Sequence, residues 1–133
     1  MIINVSVDKE KVKSMISMTE TRERFIKKAE YKQFPTIIAE NYYEIIKEIG
    51  TAILLLDGKK AIGDYAHKEI IEQLKTNDYI DELESRVIDD LRIKRNKSQY
   101  EGKQFELVYI ENNEKRLLLI IQKLKKIIDK KVK

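Results

Sequence analysis

The sequence predicts an all-α protein, an antiparallel four-helix bundle with one extra short helix, and three observations lead there. The 133 residues include only one Pro and four Gly, so little interrupts helix formation. Hydrophobic residues make up 42% of the chain and charged residues 38%, as helices with one apolar and one charged face require. Apolar residues recur at three-to-four spacing, and no segment alternates like a strand of useful length. Residues 1–133 are expected to form a single domain.

The first two helices are indicated by residues that favour helix starts. Asp8 can cap a helix over 9–31, because its carboxylate accepts hydrogen bonds from the unpaired N–H groups of the first turn. Pro35 begins a second helix over 35–56, since the N–H that proline lacks would be unpaired there anyway. Gly50 lies inside this helix at a cost of about 1 kcal/mol relative to Ala, which indicates a close helix crossing.

The segment after the second helix carries no nucleotide-binding P-loop. Such a loop needs a preceding strand and a Ser or Thr directly after its Lys, and the stretch 58–63 follows a helix and has no Ser or Thr. A shorter third helix covers 64–75 and contains His67, the only His in the chain. One His can bind a metal only if carboxylates or a second subunit complete the site. We therefore expect no metal and no cofactor.

The fourth helix, beginning at Asn77 or Asp78, carries an unusual arginine. Arg95 continues the apolar face of this helix, and the residues three and four positions before it, Arg92 and Leu91, are not acids. Its guanidinium must therefore contact another helix, another subunit or a bound anion. The last helix covers 108–131, and the basic residues at its end complement the helix dipole, which explains them without nucleic acid.

Composition limits the classes of protein to which the chain can belong. It contains no Cys, which excludes disulfides, Cys-ligated zinc and thiol chemistry. The N-terminal segment lacks the pattern of a signal peptide, and no apolar run is long enough to cross a bilayer, so we expect a cytoplasmic protein without membrane contacts. A surface rich in Lys, Glu and Ile is also typical of heat-adapted proteins.

Basic residues are concentrated in the stretch that closes the fourth helix. The net charge is only +4, because 23 acidic residues accompany 27 basic ones, so the overall balance says little about nucleic acid. The distribution is more informative, since five basic residues lie between positions 92 and 103 with only Glu101 among them. The candidate binding residues in this stretch are Arg92, Arg95, Asn96, Lys97 and Tyr100.

The helix order, together with Arg95-Asn96-Lys97-x-x-Tyr100-x-Gly102, resembles the HEPN superfamily, in particular its small stand-alone prokaryotic members. The resemblance implies an all-α bundle that dimerises and brings two copies of the motif together across a cleft. Active members are metal-independent endoribonucleases in which an Arg is followed, after four to six residues, by a His. Many pair with a small nucleotidyltransferase as a toxin–antitoxin couple, so that partner is also implied.

This chain departs from the family motif at its second catalytic position. Tyr100 stands where the resemblance places His, and a free phenol is ionised in only about one molecule in a thousand at neutral pH. Arg95, Tyr100 and His67 are the candidate catalytic residues, with His67 as a substitute base.

Three interpretations stay open for this chain. It is an RNA-, nucleotide- or partner-binding homodimer without efficient cleavage, or an endoribonuclease of the toxin–antitoxin type. In the third, it is a structural or protein-interaction dimer in which Arg95 pairs with an acid such as Glu40, Glu44 or Glu84.

Overall fold

A computed structural model describes residues 1–133, of which 74% are helical, and the all-α prediction is confirmed. The five helices are α1 (Lys9–Lys28), α2 (Pro35–Leu56), α3 (Ala66–Thr76), α4 (Glu82–Glu101) and α5 (Leu107–Val132). Two strands of three residues each, β1 (Ile2–Asn4) and β2 (Lys59–Ala61), pair in antiparallel register. The sequence pattern predicts no strand of useful length, and this ribbon of two three-residue strands is a difference from that prediction.

Helix α4 begins at Glu82, later than the predicted start at Asn77 or Asp78. Asp78 has a φ of 59°, a left-handed conformation that a helix cannot include. The start is instead set by a capping box. The Asp81 carboxylate accepts a hydrogen bond from the Glu84 N–H at 2.8 Å, and the Glu84 carboxylate accepts one from the Asp81 N–H at 2.9 Å.

Helix α2 is the centre of the fold, because it packs against each of the other four helices. It contributes twelve of the 28 buried residues, and the side chains of Ile38, Ile45, Ile49 and Ile53 are fully buried. Such a helix is apolar around most of its circumference, as burial among several neighbours requires. The position of α2 therefore decides which polar residues on its remaining face can meet α1 and α4.

Gly50 lies where α2 and α3 cross. A Cβ at this position would be 2.9 Å from Cγ2 of Ile70 and 3.1 Å from Cδ1 of Leu74, so any larger residue would force α3 away. The close crossing expected from Gly50 is thus present. It determines where the first turn of α3, with His67, lies relative to α4.

The basic end of α5 has a structural role. The Lys131 ammonium donates to Asp57 at 2.5 Å, and Asp57 is the residue that ends α2. The same ammonium lies 4.7 Å from the centre of the Tyr79 ring. These contacts attach the last turn of α5 to the end of α2, in agreement with an interpretation that does not involve nucleic acid. None of the helices combines the length and apolar character needed to cross a bilayer.

Candidate functional site

The first turn of α3 and the C-terminal half of α4 enclose a cleft of about 280 Å³, which we call the α3–α4 cleft. Five of the six candidate residues line it, although they come from helices that are separate in sequence. They are His67, Arg92, Arg95, Asn96 and Tyr100. The sixth, Lys97, lies on the other flank of α4 and lines a different groove.

Arg95 pairs with an acid of its own chain. Its Nη2 donates to Oε1 of Glu44 at 3.0 Å, and the two side chains are only 11% and 18% exposed. Its guanidinium also lies 5.2 Å from the centre of the Tyr43 ring, while its Nε is buried without a partner. Of the contacts that the sequence analysis left open, another helix of the same chain is the one observed.

Glu44 is held ionised by the basic residues around it. Burial by itself would raise the pKa of its carboxyl, but a 2.7 Å contact with Lys47 and the charges of Arg95 and Arg22 lower the pKa below its ordinary value. The Arg95–Glu44 contact is therefore a true ion pair at neutral pH. It fastens α4 to the polar face of α2.

Arg92 offers more free hydrogen-bond donors to the cleft than Arg95 does. Its Nε donates to Oδ1 of Asp89 at 2.8 Å, whereas its two Nη groups have no acceptor within the chain. The side chain is 17% exposed, so those groups lie at the cleft wall. A planar fork of free N–H groups is suited to bind phosphate oxygens. The residue best placed to bind an anion is thus Arg92, one turn before the arginine of the resembled motif.

His67 is neutral in this cleft at physiological pH. Its ring packs against Tyr43 with the ring centres 6.1 Å apart. Burial lowers the pKa of the imidazole, and the charges of Lys47, Arg95 and Arg92 lower it further, while Glu44 opposes them. Tyr43 thus touches both Arg95 and His67, and burial raises its own pKa to about 12 despite the two nearby arginines.

The titration of His67 is expected to have its midpoint below 6.5, the ordinary value. Because the chain has a single His, NMR of the imidazole protons reports on this site alone. Replacing Lys47 with Met should raise the midpoint, since a positive charge near the ring is removed. Lys13→Met is the control, because Lys13 lies on α1 away from the cleft and is 74% exposed. A midpoint that does not respond to Lys47→Met would contradict the described environment.

The N-terminus of α3 adds free backbone donors to the cleft. Tyr65 precedes the helix and provides no side-chain cap. The N–H groups of His67 and Lys68 have no acceptor within the chain. Unpaired N–H groups at a helix start carry partial positive charge and favour anions. The cleft therefore combines an arginine fork with an open helix end.

Tyr100 and Asn96 lie toward the open side of the cleft. Tyr100 is 81% exposed, and its hydroxyl has no partner within the chain. The Asn96 carbonyl accepts a long hydrogen bond of 3.4 Å from Arg95, which leaves its amide N–H groups free. Lys68 also lines the cleft and was not among the predicted residues, although it follows His67 directly in the sequence.

No cluster of three or more His, Cys, Asp or Glu side chains is arranged to hold a metal ion. Comparison of the chain with protein-family models, with curated proteins and with solved structures gave no match.

Proposed function

We propose that this chain is a HEPN-like helical module that binds RNA in the α3–α4 cleft and does not cleave it efficiently. The observation that carries the proposal is the meeting of Arg92, His67 and the open start of α3 in one cleft. These elements come from distant parts of the sequence. Their common property is an affinity for anionic oxygen atoms, which an RNA phosphate supplies.

The helix lengths and contacts support the finer architecture in this proposal. Helices α1, α2, α4 and α5 have 20 to 26 residues, and α3 has 11, as an antiparallel four-helix bundle with one short extra helix would have. Ion pairs connect the long helices, including Arg22 with Glu48 between α1 and α2 and Lys125 with Glu23 between α5 and α1. The order of long and short helices also agrees with the resemblance.

The partners follow from the resemblance and from one surface feature. Val108 and Leu119 of α5 are 51% and 57% exposed. Exposed apolar side chains on this helix support the proposed homodimer. A small nucleotidyltransferase partner belongs to the proposal through the resemblance alone. Nucleotide binding is kept as an alternative to RNA binding, and a cytoplasmic location is proposed from the sequence composition.

A second candidate function is a metal-independent endoribonuclease, favoured by the position of His67 in the same cleft as Arg95 and Tyr100. A neutral imidazole can accept the proton of the 2′-hydroxyl as that oxygen attacks the adjacent phosphate. Arg92 could stabilise the negative charge on the phosphate oxygens, while the leaving 5′-oxygen takes a proton from water or from a second group. Tyr100 would then serve as a hydrogen-bond donor.

RNA affinity measured by fluorescence anisotropy at several salt concentrations tests the proposal. Replacing Arg92 with Ala is expected to weaken binding about tenfold and to reduce the salt slope by about one, because one charged phosphate contact is lost. Arg86→Ala is the matched control. Arg86 belongs to the same helix and also pairs with an acid, but it is 74% exposed and lies outside the cleft.

The same preparation separates the three interpretations. Binding without cleavage, weakened by Arg92→Ala but not by Arg86→Ala, would support the proposal. RNA cleavage that disappears in His67→Ala would favour the endoribonuclease instead. If the folded wild-type chain binds no RNA, the third interpretation remains. In that structural role the Arg95–Glu44 pair serves only to hold α4 against α2.

A further inference from the structure

We infer that a second RNA contact lies on the opposite flank of α4, in a groove that we call the lysine groove. It has a volume of about 250 Å³ and lies between the end of α4, the following link and the start of α5. This inference rests on the proposed RNA-binding function, and it extends the bound strand beyond the α3–α4 cleft. The groove is lined by Lys94, Lys97, Lys103, Gln104, Phe105, Glu106 and Tyr109.

The charge in the lysine groove is available to a ligand. Lys97 and Lys103 form no ion pair within the chain, and Lys94 makes only an exposed contact of 3.3 Å with Asp90. Glu106 is the one acid among the lining residues. Exposed pairs such as Lys94–Asp90 contribute little, so they hardly compete with a phosphate. The groove thus presents three ammonium groups against one lining carboxylate.

The aromatic floor of the groove contains an unsatisfied polar atom. Tyr109 is only 8% exposed, and its buried hydroxyl has no hydrogen-bond partner. A buried hydroxyl without a hydrogen-bond partner is unfavourable, so its presence in this fold calls for a reason. The ring packs against Phe105 at 5.1 Å between centres, and the Lys94 ammonium lies 5.9 Å from its centre. A polar ligand entering beside Lys94 would provide a reason for this arrangement.

The two anion-binding surfaces lie on either side of the solvent-facing back of α4. At 100° per residue, Arg92 and Arg95 point to one flank, while Lys94 and Lys97 point toward the other. Tyr100 lies on the back between them and is 81% exposed. An exposed Tyr between two phosphate-binding surfaces is suited to stack a base of a strand that crosses the helix.

A single strand fits this arrangement better than a duplex or an acidic protein segment does. The two surfaces are separated by the width of an α-helix, about 10 Å, and a strand must bend around that helix to reach both. A base-paired duplex resists such bending, whereas a single strand does not. An acidic peptide would satisfy the lysines but would not use the exposed ring of Tyr100.

The test compares binding of a labelled single-stranded oligouridylate by wild type and by the double variant Lys97→Gln/Lys103→Gln. Loss of two phosphate contacts should weaken binding at least tenfold and reduce the salt slope by about two. The control is Lys126→Gln/Lys130→Gln, which removes the same charge from exposed positions of α5. Thermal unfolding of each variant shows whether the fold is retained. Tyr100→Ala should also weaken binding, because base stacking is lost.

The outcomes distinguish this inference from the proposed function. If Arg92→Ala weakens RNA binding but the double lysine variant does not, the RNA contact in the lysine groove is overturned and the one in the α3–α4 cleft is supported. If only the double lysine variant weakens RNA binding, the contact in the lysine groove is supported and the one in the α3–α4 cleft is overturned. Equal binding of a duplex, or equally strong competition by polyglutamate, would overturn the single-strand assignment in favour of a general basic surface.

Discussion

Replacing Glu44 with Ala is expected to lower the free energy of unfolding by about 3 kcal/mol. The reason is that Arg95, only 11% exposed, would keep its charge and lose its one acidic partner. Removing one member of a buried ion pair is more harmful than removing both, because the charge left behind is neither hydrated nor paired. Urea denaturation of wild type and variant measures the loss.

The control for this prediction is Glu10→Ala, the same change at an exposed helical position. Glu10 contacts Lys13 at 3.4 Å and is 86% exposed, so the expected loss is within about 0.5 kcal/mol. The double variant Glu44→Leu/Arg95→Met should recover most of the stability, since both charges are then absent. If Glu44→Ala is no more harmful than Glu10→Ala, the pair does not hold α4 to α2.

The stability lost in Glu44→Ala should depend on pH. The pKa of Glu44 is lowered in the folded chain, where Lys47 and Arg95 outweigh the opposing effect of burial. A carboxyl with a lowered folded pKa contributes stability above its unfolded pKa and loses that contribution as pH falls through the folded pKa. The difference between wild type and variant should therefore be largest near neutral pH and shrink in acid. A difference that grows in acid would contradict this sign.

Replacing Gly50 with Leu is expected to lower the free energy of unfolding by about 3 kcal/mol and to weaken the proposed RNA binding as well. Space for even one added carbon is lacking, because Ile70 and Leu74 of α3 would lie 2.9 and 3.1 Å from it. The two helices must separate to admit a larger side chain. His67 and Lys68, on the first turn of α3, would then shift relative to Arg92.

Two further variants serve as comparisons for Gly50→Leu. Gly50→Ala should have a smaller effect, since about 1 kcal/mol of improved helix propensity offsets part of the overlap. Ser14→Leu adds an apolar side chain to an exposed position of α1, and it should leave both stability and RNA binding nearly unchanged. Unaltered RNA affinity in a folded Gly50→Leu protein would show that the position of α3 does not control the cleft.

The start of a helix was predictable where residues within one turn determine it. Asp8 and Pro35 begin α1 and α2 as expected, because capping and the missing N–H of proline act within one turn. The start of α4 was predicted too early. The pattern of a capping box, Asp81 followed three residues later by Glu84, was present in the sequence and indicates the observed start.

From the sequence, residues of the candidate site could be grouped only when they lie on the same helix. At 100° per residue, Arg92, Arg95 and Asn96 point to one flank of α4 and Tyr100 to its solvent-facing back, and all four line the α3–α4 cleft. Lys97 points away from Arg92 and Arg95, but the sequence-based prediction grouped it with them. His67 joins these residues in the cleft because α3 crosses α2. No local sequence pattern reveals that crossing.

The sequence by itself determined the helical character of the chain, the concentration of basic residues near the end of α4 and the absence of an acid upstream of Arg95. These properties follow from residue type and from spacing within single helices. The tertiary structure decided that Glu44 is the partner of Arg95 and that His67 shares its cleft. Those contacts join residues far apart in the chain, so they follow from the packing of α3 and α4 against α2.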